Sequence, residues 1–423
     1  MSTPRKRTPR SVRRSSAVLH LAALTVALVG CTADDPGPPL LISAAEYDFS
    51  RTPGLLPRLL DSPHTYFRFI NREFTAEVCH RYGDMTEALP ALNLHGDAHL
   101  EQYAVGDSGR GLTDFDDSAI GPGVVDLIRF GTSVMLAADA NGWSDQVEQF
   151  VDVFFDGLRA GVERPDVRPP PPAVVERIRK RFSNDRLSIL ASIDSLIDSE
   201  SVDPDRMQTG FDLYVEAIHE EYPALPGTFF TSKKAGRLTL GVGSALDDKY
   251  LIRVEGPTSA AEDDLVLEIK QVRDLSGVDC LQRRSSDAFQ IMTGQSRIAY
   301  QPYTYMGYIF LDPRRAESSE HGSDFWDGTT YWVHAWVNNY AEMDVGETFQ
   351  APSELEEVVY DIGVQLGRGH AKDIVAPHEF QLRRALTVWL DDHEDDIREA
   401  IAEMTSETLS AWRQFKVETS DGG

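Results

Sequence analysis

Two acidic clusters, separated by a short stretch of chain, hold the residues best suited to chemistry. Residues 95–99 read His-Gly-Asp-Ala-His, and residues 114–117 read Asp-Phe-Asp-Asp. Carboxylates that are not interleaved with Lys or Arg repel one another and are stable together mainly when a cation lies among them. Magnesium is held by one or two carboxylates together with substrate phosphates. Because a further aspartate can orient an attacking hydroxyl, this spacing suits phosphoryl transfer.

Two other interpretations of these clusters remain open. His95 and His99 flank Asp97 at two-residue spacing, and a strand would place all three on one face, as in a metal hydrolase. No recognisable hydrolase motif is completed elsewhere in the sequence. The acidic residues are also compatible with a solvated loop or a structural calcium site.

The motif around Asp97 resembles a known pattern. Together with residues 114–117 and Asp126, it is similar to the catalytic core of the aminoglycoside phosphotransferase and choline kinase branch of the kinase-like fold. It resembles more closely an uncharacterised bacterial family, domain of unknown function 2252, which is grouped with kinase-like proteins. Further matching segments run from about residue 50 to 375. They are Ser-Pro at 62–63, Tyr-Phe-Arg at 66–68, Gly-Pro at 121–122, Gly-Val-Gly-Ser at 241–244, Leu-Glu-Ile-Lys at 267–270 and Leu-Gly-Arg-Gly-His-Ala at 366–371.

This resemblance implies a role for each matching residue. Asp97 would be the catalytic base that orients an acceptor hydroxyl, and Asp126 would pin its loop. Magnesium and ATP are the implied cofactors, and the acceptor would be an unknown small molecule or protein. The implied site residues are Asp97, His95 and His99 for catalysis, Gly241, Gly243, Ser244 and Lys270 for the nucleotide, and Asp114, Asp116 and Gln102 for the metal.

The order of these motifs predicts an unusual chain path. Kinase-like chains run from a Gly-rich loop through a lysine and a helix to the catalytic loop, whereas here the catalytic segment comes first. The resemblance therefore implies a circularly permuted, two-lobe kinase-like fold. The predicted regions are a mainly helical lobe at 44–230 with the catalytic and metal-binding loops, a β-rich nucleotide lobe at 231–340, and closing helices at 341–423.

The residue patterns by themselves predict the same layout. Apolar residues recur at helical spacing over 44–90, 124–140, 174–222, 354–372 and 379–416. Residues 249–254 and 265–270 are β-rich runs near a Gly turn. A helical part, a β-rich block and a second helical part indicate an α+β protein.

Departures from the family pattern favour a second function. Gln102 replaces the Asn that usually binds the second metal, and Gln271 replaces the acidic residue that usually follows the lysine. The sequence also reveals no acidic partner for Lys270. These differences are typical of a non-catalytic, pseudokinase-like protein that binds a ligand or a protein partner.

The first 43 residues predict export and anchoring. Residues 1–30 combine a basic start with a short apolar run, as in a secretory signal peptide. The string Leu-Val-Gly-Cys at 28–31 resembles a bacterial lipobox, which implies lipidation of Cys31 and a place at the cell envelope. Residues 31–43 are predicted to form a flexible tether, and this lipid would be the only contact with the membrane.

Charge and cysteine content limit the function further. The formal net charge of −27 disfavours binding to nucleic acid. Apart from Cys31, the cysteines are Cys79 and Cys280. In an oxidising compartment these two would form a disulfide, and two buried free thiols are the alternative.

Overall fold

A computed structural model describes residues 38–421, except 108, 199–203, 239–241, 243–244, 283–287 and 311–328. The predicted signal peptide and Cys31 lie outside the described residues, as do Gly241, Gly243 and Ser244. The tether predicted for 31–43 is too long at its C-terminal end. Leu40 and Ile42 are buried in the main core, and the Tyr66 hydroxyl donates a 2.8 Å hydrogen bond to the Leu40 carbonyl.

Eleven α-helices are described, and none of these is both long and apolar enough to cross a membrane. Local sequence sets several of their ends: Ser62 accepts a hydrogen bond from the Thr65 amide at the start of α2, and Pro63 follows it. The helices are α1 (Leu55–Asp61), α2 (Pro63–Phe69), α3 (Asn71–Tyr82), α4 (Val124–Ala140), α5 (Val147–Glu163), α6 (Ala173–Arg179), α7 (Arg186–Asp194), α8 (Pro204–Glu221), α9 (Ala288–Ile298), α10 (Pro352–His370) and α11 (Glu379–Asp421).

Ten described strands form three antiparallel sheets. The order is β1-β4 in the first, β10-β2-β3 in the second and β5-β6-β7-β9-β8 in the third. The strands are β1 (Leu92–Leu94), β2 (Tyr103–Gly106), β3 (Arg110–Leu112), β4 (Ala119–Gly121), β5 (Ser232–Arg237), β6 (Lys249–Val254), β7 (Leu265–Gln271), β8 (Gly307–Phe310), β9 (Thr330–Ala335) and β10 (Tyr340–Glu342). The protein is therefore α+β, as predicted.

The main hydrophobic core lies among the helices. Helices α1–α6 and α9–α11 contribute buried side chains to it, together with β1–β3 and Trp332 of β9. Helices α5 and α10 approach closely because glycines face the opposite backbone. A Cβ on Gly161 would lie 2.3 Å from the carbonyl oxygen of Val364, and one on Gly367 would lie 2.2 Å from that of Leu158.

Two smaller cores cover the five-stranded sheet. Successive side chains of β6 lie on opposite faces of the sheet. Ile252 lies on one face and packs with Tyr214 of α8. Leu251 lies on the other face and packs with Leu190 of α7. Helices α7 and α8 had been assigned to the helical lobe by the sequence pattern. Their buried side chains instead cover the sheet, because a two-faced sheet needs an apolar layer on each side.

The two cysteines left open by the sequence form a disulfide. Cys79 of α3 is bonded to Cys280, 201 residues later, and their Cα atoms are 5.5 Å apart. The bond ties the segment after β7 to the helical core. Disulfides that close long loops commonly add about 2–4 kcal/mol to stability.

Candidate functional site

The segment around Asp97 is fixed by backbone hydrogen bonds at the end of β1. Gly96 has φ of +83°, and a Cβ there would lie 1.9 Å from the carbonyl oxygen of Asp117, so only glycine fits. The buried carboxylate of Asp126, in the first turn of α4, accepts the amides of His95 and Gly96 at 2.8 and 2.9 Å. Asp126 pins this loop, as the family resemblance implies.

Asp97 is ion-paired with a fully buried arginine. The Nε and Nη2 atoms of Arg129 donate to one oxygen, Oδ1, at 3.0 and 2.7 Å. Burial favours the neutral acid, but the charge of Arg129 outweighs it and holds the pKa of Asp97 well below its usual range. The other oxygen, Oδ2, lies 3.6 Å from Nε2 of His99, beyond hydrogen-bond distance. Asp97 is therefore ionised and weakly basic.

The two histidines are buried behind Asp97 and do not line the cavity described below. His95 accepts from the Asp97 amide through Nδ1 and therefore donates through Nε2 to the Thr113 carbonyl, at 2.9 Å. It thus connects the Asp97 loop to the residue before Asp114. Neither ring nitrogen of His99 has a hydrogen-bond partner in the part of the chain that the structure describes. His95 therefore braces the loop, and neither histidine reaches the cavity.

Asp114, Gln102 and Asp116 converge at the second loop. The Nε2 atom of Gln102 lies 3.3 Å from Oδ2 of Asp114, while its Oε1 atom is buried and has no hydrogen-bond partner among the described residues. Asp114 has φ of 56°, in the left-handed region that few residues other than glycine adopt. Backbone strain of this kind clusters at functional sites. The Trp332 indole donates to Oδ1 of Asp116 at 2.8 Å.

Lys270 joins this cluster from the sheet. Its Nζ atom lies 2.5 Å from Oδ1 of Asp114 and 2.6 Å from Oδ2 of Asp116. Burial opposes ionisation of Asp114, but the Lys270 ammonium holds its pKa well below the usual range. Burial and the charge of Asp114 raise the pKa of Asp116. Asp114 and Asp116 are the acidic partners that the sequence did not identify.

These groups line one cavity of about 280 Å³ between the helical part and the five-stranded sheet. Asp97, Gln102, Asp114 and Asp116 face it from the loops, and Lys270 faces it from β7. The other charged residues that line it are Arg68, Asp117, Lys249, Glu268, Arg273 and Glu342. The structure therefore brings together every described residue that the resemblance placed at the site, except the two histidines.

Cross-strand pairing orders the sheet wall of the cavity. One row runs Lys249, Lys270 and Trp332 across β6, β7 and β9. In the next row, Glu268 lies beside His334, whose Nε2 atom is 3.1 Å from Oε2 of Glu268. Tyr303 stacks on His334 with 4.1 Å between ring centroids. The wall thus has a cationic end and an aromatic end.

The described residues fit a magnesium ion whose coordination shell is completed by oxygen atoms of the substrate. They contain no group of three or more His, Cys, Asp or Glu side chains arranged to hold a metal. Magnesium needs only one or two protein carboxylates when phosphates supply further oxygens. Asp114 offers such oxygens. Gln102, in place of Asn, presents its amide nitrogen to Oδ2 of Asp114 at 3.3 Å, so a metal at Asp114 would require this amide to turn its oxygen toward the ion.

Several residues of the site were missed by sequence reasoning. Arg129 is the only basic residue in the apolar sequence of α4, and that isolation was an available signal. Arg273 donates to Asp117 at 2.6 Å and to Asp247 at 2.7 Å, which closes the site beside β7. Its only signal was a position three residues after Lys270. The pairing of Tyr303 with His334 had no local signal.

The buried His99 predicts acid sensitivity. Burial lowers its pKa to about 4, against about 6.5 in the unfolded chain. Between these values only the unfolded chain binds the proton, so stability falls as pH drops below 6.5. At pH 5 the loss from His99 is about 2 kcal/mol. Urea denaturation at pH 7 and pH 5 gives the fall in the free energy of unfolding between the two pH values. This fall should be about 2 kcal/mol smaller for His99→Gln than for wild type. An equal loss of stability between pH 7 and pH 5 in wild type and in His99→Gln would contradict this prediction.

A comparison with known proteins finds a family model that matches part of the chain around this site. No curated protein and no solved structure matches the chain. Residues 50–166, which contain Asp97, Gln102, Asp114, Asp116 and Arg129, match the model of a family described as an uncharacterized protein conserved in bacteria, DUF2252.

Proposed function

We propose that this chain is a magnesium- and nucleotide-dependent phosphotransferase with a circularly permuted, kinase-like arrangement. It would move the terminal phosphoryl group of ATP to a hydroxyl of a small molecule or protein. The observation that carries the proposal is the pairing of Lys270 with Asp114 in a cavity that Asp97 and Gln102 also line. A phosphate-binding lysine, a metal-binding aspartate and an orienting aspartate are the parts that phosphoryl transfer requires.

The position of Lys270 in the sheet supports this proposal. In protein kinases the phosphate-contacting lysine lies on the third strand of the nucleotide lobe, and a helix follows it. Lys270 lies on β7, the third strand of the five-stranded sheet in chain order, and α9 is the next described helix. The catalytic segment at Asp97 precedes this sheet in the chain, as the permuted order requires.

The two ends of the sheet wall match the two parts of a nucleotide. Lys249 and Lys270 lie at one end and can bind phosphates. His334 and Tyr303 are stacked on each other at the other end and can contact a planar base. Aromatic rings favour such contacts with other rings. Because charge and aromatic surface are separated along the cavity, the wall favours one orientation of the bound nucleotide.

Asp97 would orient the acceptor and take part only weakly as a base. A new bond forms between the acceptor oxygen and the terminal phosphorus while the bond from that phosphorus to the bridging oxygen breaks, so that ADP leaves with the bonding electron pair and the hydroxyl proton is released to solvent. Oδ2 of Asp97 can accept the hydroxyl hydrogen bond, since Arg129 occupies Oδ1. Magnesium, when held by Asp114 and Gln102, would neutralise phosphate charge. Lys270 would add a fixed positive charge beside the phosphates.

A second candidate function is ligand binding without chemistry. Lys270 contacts both Asp114 and Asp116, burial and the charge of Asp114 favour the neutral form of Asp116 by raising its pKa, and Arg129 pairs with Asp97. The charges of the cavity are therefore largely balanced before any metal binds. This observation favours a pseudokinase-like role, in which the same cavity holds a ligand at the cell envelope.

Thermal-shift titration with adenine nucleotides tests both functions. A ligand at 100 times its dissociation constant adds about 2.7 kcal/mol to the free energy of unfolding. Stabilisation by ATP that requires magnesium, followed by slow release of phosphate, would support phosphotransfer. Stabilisation without turnover would support the binding role. The absence of any shift with ATP, ADP or AMP, with and without magnesium, would contradict the phosphotransferase proposal.

The proposed location is the bacterial cell envelope. The Cys79–Cys280 disulfide supports it, because disulfides persist mainly in oxidising compartments. Membrane fractionation should place wild-type protein in the membrane fraction and Cys31→Ser in the soluble fraction. Wild-type protein that stays soluble, or a variant that stays membrane-bound, would contradict anchoring through Cys31.

A further inference from the structure

Two lysines occupy directly opposed positions on neighbouring strands of the cavity wall. Lys249 of β6 and Lys270 of β7 are paired in antiparallel register, so their side chains lie on the same face. Both line the cavity, and only 4% and 6% of their surfaces are exposed. Like charges at directly opposed positions destabilise a sheet. The arrangement therefore has a cost to folding that an anion between the lysines would offset.

The acidic groups of the cavity are distributed unequally around these lysines. Asp114 and Asp116 approach Lys270 from the loop side. Glu268 lies two residues before Lys270 on the same face of β7, and His334 contacts it at 3.1 Å. Lys270 thus contacts the aspartates of the loops, and Lys249 extends the same row on the side away from Trp332.

We propose that Lys249 is a second phosphate-binding lysine and that, together with Lys270, it selects an anion with at least two linked phosphate groups. This inference rests on the proposed function and adds a substrate class to it. One phosphate can satisfy one ammonium, whereas two opposed lysines offer two binding points. Linked phosphates therefore gain binding free energy from contacts with both lysines, whereas a nucleoside monophosphate gains it from one lysine.

The neighbouring residues supply the rest of such a subsite. Trp332 continues the lysine row, and its indole donates to Asp116, which holds that carboxylate beside Lys270. Arg273 lies next to the row and is clamped by Asp117 and Asp247. The lysines therefore stand on two interior strands of the sheet, each paired on both sides, and do not need to reorganise in order to meet a polyphosphate.

Calorimetric titration of phosphate compounds tests this inference. The probes are adenosine, AMP, ADP, ATP and inorganic triphosphate, each with magnesium, against wild type, Lys249→Met and Lys270→Met. Lys234→Met is the matched control, since Lys234 lies on β5 of the same sheet but outside the cavity lining. We expect Lys249→Met to weaken ATP and triphosphate binding roughly 10- to 100-fold and to leave adenosine binding unchanged. Lys249→Arg should retain most of the affinity.

The outcomes separate this inference from the proposed function. If wild type binds ATP and Lys249→Met binds ATP equally well, the role of Lys249 is overturned while the proposed function stands. If wild type binds triphosphate but not ATP, and Lys249→Met loses that binding, the lysine pair stands and the nucleotide function fails. Wild type that binds neither compound overturns both. Should Lys249→Met fail to fold, Lys249→Gln replaces it in the same comparison.

Discussion

Replacing Arg129 with methionine is expected to lower the free energy of unfolding by about 3–5 kcal/mol. The guanidinium is fully buried on α4, and it donates twice to Asp97. Its Cζ atom lies 3.7 Å from the centroid of the Phe67 ring. Methionine keeps much of the apolar packing but removes the charge. Asp97 is then left as a buried carboxylate without its counter-ion, and this uncompensated charge destabilises the folded protein.

A double-mutant cycle identifies the cause of this loss. Adding Asp97→Asn to Arg129→Met removes the orphaned charge, so the double variant should be more stable than Arg129→Met alone. Chemical denaturation of wild type, both single variants and the double variant gives the coupling energy. Strictly additive losses, or a fully stable Arg129→Met, would show that the ion pair is not what holds the Asp97 loop.

The second large effect is expected in turnover. Asp97→Asn should lower the rate of phosphoryl transfer or nucleotide hydrolysis by about 10²-fold, the low end of the usual contribution of a positioned proton acceptor, because Arg129 makes Asp97 a weak base. Nucleotide affinity should change little, because Lys270, Asp114 and Gln102 remain in place. Asparagine is a better test than alanine, since its amide oxygen can still accept a hydrogen bond from Arg129.

A matched control separates chemistry from stability in this experiment. Asp361 is also a buried carboxylate that pairs with an arginine, accepting Nε of Arg110 at 2.8 Å, but it does not line the cavity. Asp361→Asn should therefore lose stability without losing turnover per folded molecule. Asp97→Asn that turns over nucleotide as fast as wild type would remove Asp97 from the mechanism and would leave the binding role as the better account.

The residues that stabilise the carboxylates of this cavity also affect the function proposed for those carboxylates. Arg129 holds Asp97 in one rotamer and keeps it ionised, but it also makes that carboxylate a weak base. Lys270 stabilises Asp114 and Asp116 when no metal is bound, in the position where a metal would also neutralise them. A bound cation and Lys270 therefore compete for the same two carboxylates. The affinity for magnesium should consequently be higher when the ion binds together with a phosphate compound.

Local sequence was sufficient to predict much of the secondary structure. The run at 249–254 was predicted as a strand and forms β6, and the apolar pattern at 124–140 was predicted as a helix and forms α4. Both rest on interactions within a few residues, namely side-chain periodicity and turn residues. The pattern was less informative about α7 and α8. A helix with one apolar face packs on a sheet or on other helices, and its own sequence does not choose between them.

The sequence alone identified the candidate site residues: Asp97, Gln102, Asp114, Asp116 and Lys270 were predicted from type, spacing and family resemblance, and the structure places all five around one cavity. Only the tertiary structure decided how they are paired. The partners of Asp97, Lys270 and Cys79 lie 32, 156 and 201 residues away in the chain. Ion pairs and disulfides depend on distances in space, and those distances follow from the packing of the helical core against the sheet.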